Sequence, residues 1–174
     1  MLALVACGGS EGSTGEAVAP AAYVRLVCQA VARWDEGVES AFRTSEERPD
    51  DDRPAVLRRD MLDFFDDVQE ATDAMVERVD DAGSPEVPDG DGIARELREA
   101  LSNASQKLEA NRASFAAVPL SDVQPAASIE GAMTVLAEQV EAVHAALDRL
   151  DERSPLLRRE RARVPACQGR GQGG

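Results

Sequence analysis

Between Ile129 and Leu150 apolar residues recur at alternating steps of four and three: Ile129, Met133, Leu136, Val140, Val143, Leu147 and Leu150. That spacing describes a helix carrying one continuous apolar seam. The seam is too short for an extended coiled coil, so other helices of the same chain must cover it. Three further stretches have the matching period. Tyr23, Val27, Ala30, Trp34, Val38, Ala41 and Phe42 form one stripe, with Arg25, Arg33, Asp35, Glu36 and Glu39 on its far side. Leu57, Met61, Phe64, Phe65, Val68, Thr72, Met75 and Val79 form a second, and Ile93, Leu97, Leu101, Ala104, Leu108, Asn111, Phe115 and Val118 a third. Strand-like alternation is absent from the sequence. Four amphipathic helices joined by short turns predict an all-α fold, an antiparallel up-down-up-down four-helix bundle.

Local signals set the helix limits. The first helix follows Pro20 and closes at Pro49; Asp50-Asp51-Asp52 and Pro54 open the second. Acidic residues before a first-turn proline suit a helix start, because proline lacks the amide that would go unpaired there. Gly83 and Pro85 stop that helix, the glycine taking a left-handed position. Ser84 to Gly92 is the longest irregular connection, the third helix ends at Pro119, and Pro125 lies near the start of the fourth. Ser154-Pro155 caps a short fifth helix through Arg163, rich in arginine. The expected domain therefore covers 20–167, and the glycine-rich 168–174 is expected to be a disordered tail.

Charge excludes some partners. With Asp+Glu 33 against Lys+Arg 19 the net charge is -14, which repels phosphate backbones and rules against nucleic acid. Aromatic residues make up 3%, so the core must be built from small residues on closely packed helices. Apart from the first few residues, the chain contains nothing approaching the roughly 18 continuous apolar residues of a membrane span.

Leu4-Val5-Ala6-Cys7 resembles a bacterial lipobox, in which the cysteine receives acyl chains. Gly8 to Glu16 continues without apolar periodicity and reads as a flexible tether, giving a linker over 7–19. Residues 1–6 supply only the last part of an export leader, so its start is expected upstream of Met1. Two or three acyl chains on Cys7 would anchor the chain stably, where one holds only marginally.

Lipidation of Cys7 leaves Cys28 and Cys167. In an up-down-up-down bundle the fourth helix ends where the first begins. The C-terminal segment can then fold back and bring Cys167 to Cys28, and an exported domain should oxidise such a pair. A reactive thiol near His144 is the alternative, though nothing in the sequence marks either cysteine as activated.

Few residues point to chemistry. His144 is the single histidine and stands in a Glu141-x-x-His144 pair of the kind that carboxylate-bridged di-iron bundles use. Such sites need a second histidine pair, which this chain lacks, so Glu141 and His144 remain metal candidates without partners. Asp50-Asp51-Asp52, Asp63/Asp66/Asp67 and Asp80-Asp81 lack calcium-loop spacing, and Asp89-Gly90-Asp91-Gly92 lacks the closing glutamate. These acids read as solvated helix faces and caps. There is no Gly-x-Ser-x-Gly elbow, no phosphate-cradling glycine loop and no Cys-x-x-Cys. Trp34 and Tyr23 fall on the core stripe of the first helix, which favours packing over a ligand platform. Arg158, Arg159, Arg161 and Arg163 form a basic patch. Its plain role is to offset Asp148, Asp151 and Glu152 and the helix ends nearby; docking to anionic envelope material is the functional alternative.

The lipobox and tether, the Tyr23-x-x-x-x-Cys28 start with Trp34 six residues on, and the closing Pro165-Ala166-Cys167 together resemble the small lipoproteins of actinobacteria. The resemblance covers nearly the whole length. It implies an envelope address and a helical fold, and transfers no catalytic residue or cofactor. The expectation is a non-enzymatic, membrane-anchored module that binds a protein or envelope component on the outer face of the membrane. The alternative is a bundle holding a small ligand or metal between helices near Trp34 and His144.

Overall fold

A computed structural model of the chain describes residues 17–48, 53–119, 121 and 125–168. Within them the chain is mostly helical. It runs β1 (Ala17–Val18), α1 (Pro20–Glu46), α2 (Pro54–Asp81), β2 (Ser84–Pro85), α3 (Gly90–Ala117), α4 (Pro125–Arg153), α5 (Pro155–Arg161) and a 3-10 turn at Pro165–Cys167. Four of the five helices begin on a proline, whose fixed φ suits the first helical position. α2 stops where Gly83 turns left-handed at φ 71. Cys7, Asp50, Asp51, Asp52 and the tail beyond Gln168 lie outside the described residues.

Two boundaries differ from the sequence reading. β1 pairs in parallel with β2, Ala17 opposite Ser84 and Val18 opposite Pro85. The Glu86 amide also donates to the Val18 carbonyl at 2.8 Å. Ala17 and Val18, placed in the linker from the sequence, thus make a two-residue pairing within an otherwise helical fold. The partners are too far apart in sequence, and too short, to leave a period. The second difference is at α3, which begins at Gly90, inside the stretch read as irregular. Asp89 adopts a left-handed φ of 58 just before it. A β-carbon on Gly90 would sit 1.9 Å from the Pro85 carbonyl oxygen, so only glycine lets β2 and α3 approach so closely.

The core follows the predicted stripes. Tyr23, Val27, Val31 and Trp34 from α1 meet Phe64, Phe65, Val68, Met75 and Val79 from α2, with Ile93, Leu97, Leu101 and Leu108 from α3. α1 packs on α2, α2 on α3 and α3 on α4, while α5 and the 3-10 turn cover α1. Along α4, Leu136, Val143, Leu147 and Leu150 are buried, but Met133 is 44% exposed. The seam is covered from Leu136 onward and open at Met133. Phe42, Phe64, Phe65 and Phe115 meet in series at tilted or edge-on angles, with ring centroids 5.2, 6.0 and 6.1 Å apart. Among the described residues no helix is long and apolar enough to cross a membrane.

Candidate binding surface

The polar residues between α2 and α3 are arranged in register. Asp66, Asp73 and Asp80 lie at seven-residue steps on α2; Arg112, Ser105 and Arg98 lie at the same steps on α3. Seven residues are nearly two helical turns, so each set lines one edge of its helix. Arg112 grips both carboxylate oxygens of Asp66, one of them at 2.9 Å through Nη2. The Ser105 hydroxyl donates to Asp73 at 2.7 Å, and Gln69 donates to both Asp73 and Ser105 at 2.8 Å. Arg98 donates to Asp80 at 3.1 Å. Exposed pairs of this kind contribute little stability singly, but they fix the two helices against each other.

Beside these clamps are two open clefts that share Arg98 and Ser102. One, about 440 Å³, is lined by Arg95, Glu99, Asn103 and Gln106 in addition. The other, about 400 Å³, adds Asp73, Val76, Glu77 and Asp80. The trough offers hydrogen-bond donors, acceptors and charges of both signs to a partner from the outside. Of the acids here, Asp66 and Asp80 read from sequence as solvated faces, and Asp73, Glu77 and Glu99 were not singled out. The seven-residue intervals of Asp66/Asp73/Asp80 and of Arg98/Ser105/Arg112 are each present in the sequence, but their pairing is set by the packing of α2 on α3.

No known family, curated protein or solved structure matches the chain.

The other candidate residues fall elsewhere. A disulfide joins Cys28 to Cys167, with Cα atoms 5.3 Å apart. Cys28 is buried in α1 and Cys167 half-buried at the 3-10 turn. Glu141 is exposed; His144 is half-buried with Nε2 enclosed and lacking a hydrogen-bond partner. Among the described residues no group of three or more His, Cys, Asp or Glu could hold a metal ion. Asp89 and Glu96 both receive Arg153, so a guanidinium occupies the first acid of the Asp89-Gly90-Asp91-Gly92 turn. Trp34 is buried and donates its indole N–H to the Thr72 hydroxyl at 3.1 Å, which puts it in the core. Within the arginine patch, Arg161 pairs with Asp148 and Asp151 and Arg163 with Glu160, while Arg158 and Arg159 are exposed.

Two enclosed side-chain oxygens carry an unmet cost. The Tyr23 side chain is fully enclosed and its hydroxyl has no partner. Burial pushes the phenol up to about 12, against a smaller opposing pull from Arg98. Such a phenol stays neutral at physiological pH and cannot serve as a base. Tyr23→Phe removes the unpaired hydroxyl and is expected to raise stability by about 1 kcal/mol, read as a shift in urea midpoint. It should also remove the stability that the native protein loses as pH rises from about 10 to about 12.

Asp151 has one carboxylate oxygen enclosed without a partner. Desolvation raises its pKa despite the neighbouring Arg161. The sign follows directly: the folded state holds the proton more tightly, so stability is greatest below the ordinary carboxylate range and falls as pH rises through the raised value. Asp151→Asn is therefore expected to melt slightly above the native protein at pH 7, with the gap closing as pH approaches 4. Equal melting temperatures across that range would show that the buried oxygen costs nothing.

Proposed function

We propose that the chain is a lipid-anchored, extracytoplasmic binding module, held on the outer face of the cell membrane through Cys7, that engages a protein or envelope component and catalyses no reaction. Its proposed architecture is an antiparallel up-down-up-down four-helix bundle. The order of the pairs supports that course: residue numbers rise on α2 as they fall on α3. Trp34 with Thr72, Phe42 with Phe64 and Arg48 with Asp60 do the same between α1 and α2. The Cys28–Cys167 bond supports an oxidising address. The lipobox residues and the likeness to small actinobacterial lipoproteins support the anchor.

The observation that carries the binding role is the α2/α3 trough, where two open clefts meet at Arg98 and Ser102 beside side chains that already pair across the two helices. Preset geometry lowers the entropy lost when a partner docks. The surface charge argues against nucleic acid as that partner.

The test has two arms. A photo-crosslinking residue at Gln106, in cells that make the protein, should trap an envelope component, and the adduct should vanish in an Arg95→Glu/Glu99→Arg variant. Cys7→Ser should move the protein from the membrane fraction to the medium. An adduct unaffected by the charge swap would sink the trough as the binding surface, and a Cys7→Ser protein still sedimenting with membranes would sink the anchor.

A further inference from the structure

The segment that covers α1 from outside is short and thinly held. Between Ser154 and Gln168 one apolar side chain, Leu157, is fully buried; Leu156, Val164, Ala166 and Cys167 are only partly so. α5 has seven residues, well below the roughly 12–15 at which an isolated helix becomes even marginally stable. Docking, and not its own propensity, keeps it helical. Its ion pairs run to α4, from Arg161 to Asp148 and Asp151 at 3.0 Å each. Its covalent hold on α1 is the disulfide, 139 residues apart in sequence. On α1, which the segment packs against, Val24 and Val31 lie one turn before and after Cys28, the residue bonded to the segment, and are 3% and 0% exposed.

We propose that this C-terminal segment is a redox-released strap: reducing Cys28–Cys167 with a dithiol frees residues 155–168 from α1 while α1 to α4 stay folded, uncovering the Val24–Cys28–Val31 stripe. The exchange balances. One thiolate of the dithiol attacks the sulfur of Cys167, the less buried partner, and the Cys28 sulfur leaves as a thiolate that takes up a proton. The second thiol of the reductant then displaces Cys167 from the mixed disulfide. The reductant ends as a disulfide, two electrons having passed to the protein. The strap gives that core one fully buried side chain, Leu157, whereas α1 to α3 bury most of their large side chains against one another.

The test is hydrogen–deuterium exchange on the full chain, with and without dithiothreitol, and on a Cys28→Ser/Cys167→Ser variant. Expected is a rise in exchange of about tenfold or more over 156–168, with amides from Leu97 to Leu108 still protected, as separate cooperative units allow. Iodoacetamide should then label Cys28 in the reduced, folded protein. Continued protection of 156–168 after reduction would overturn the proposal. So would parallel loss of protection in α3, or labelling of Cys28 only in denaturant.

Discussion

Trp34→Ala is expected to destabilise the protein by about 3–5 kcal/mol, a fall in Tm of roughly 6–20 °C for a chain of this size. Trp34 is 2% exposed and heads the ranking of fully buried side chains by volume. Few aromatic residues are available to refill the space, so the cavity persists. The indole also satisfies its own N–H through Thr72, whose hydroxyl passes a second bond to the Val68 carbonyl at 2.7 Å. Thr72→Val keeps the volume and leaves that N–H unpaired, which should cost about 1–3 kcal/mol. Urea unfolding followed by circular dichroism measures both, since the first variant lacks the single tryptophan. A loss below about 1 kcal/mol for Trp34→Ala would mean that the α1/α2 contact is not tightly packed.

Removing the disulfide is the second large effect. Cys28→Ser/Cys167→Ser is expected to lower global stability by about 2–4 kcal/mol, against about 5 from chain entropy alone. The link closes a 139-residue separation, so the unfolded chain regains nearly its full freedom when it is cut. The urea midpoint should fall while the far-UV spectrum keeps its helical form. This measures the whole domain, whereas release of the strap is a local event read amide by amide. A midpoint unchanged by the double substitution would indicate that the unfolded chain already holds its two ends together.

The helices were legible because their signals are local. Proline at 20, 54, 125 and 155 starts four of them, and stripes such as Ile93–Leu97–Leu101–Leu108 lie buried as their period requires. What escaped reading depends on pairs distant in sequence. Nothing near Val18 announces Pro85 as a neighbour, and nothing near Asp89 announces Arg153. Met133 has the same place in the heptad as its buried companions, yet stands exposed, because a period says which face is apolar and not whether anything covers it. The trough lay between these extremes. Asp66 and Asp80 were visible within acidic clusters and Asp73 was not, and the three acquire meaning only when matched to Arg112, Ser105 and Arg98. That match requires knowing which helices are neighbours and in what register.

The small β1–β2 pairing has a mechanical consequence. Tension arriving through residues ahead of Ala17 reaches the bonds to Ser84–Glu86 before it reaches the first turn of α1. Those bonds lie in a segment wedged against α3, where Gly90 meets the Pro85 carbonyl. A pull on the leading end is thus shared between two places in the fold, and α1 is spared from being peeled open one residue at a time.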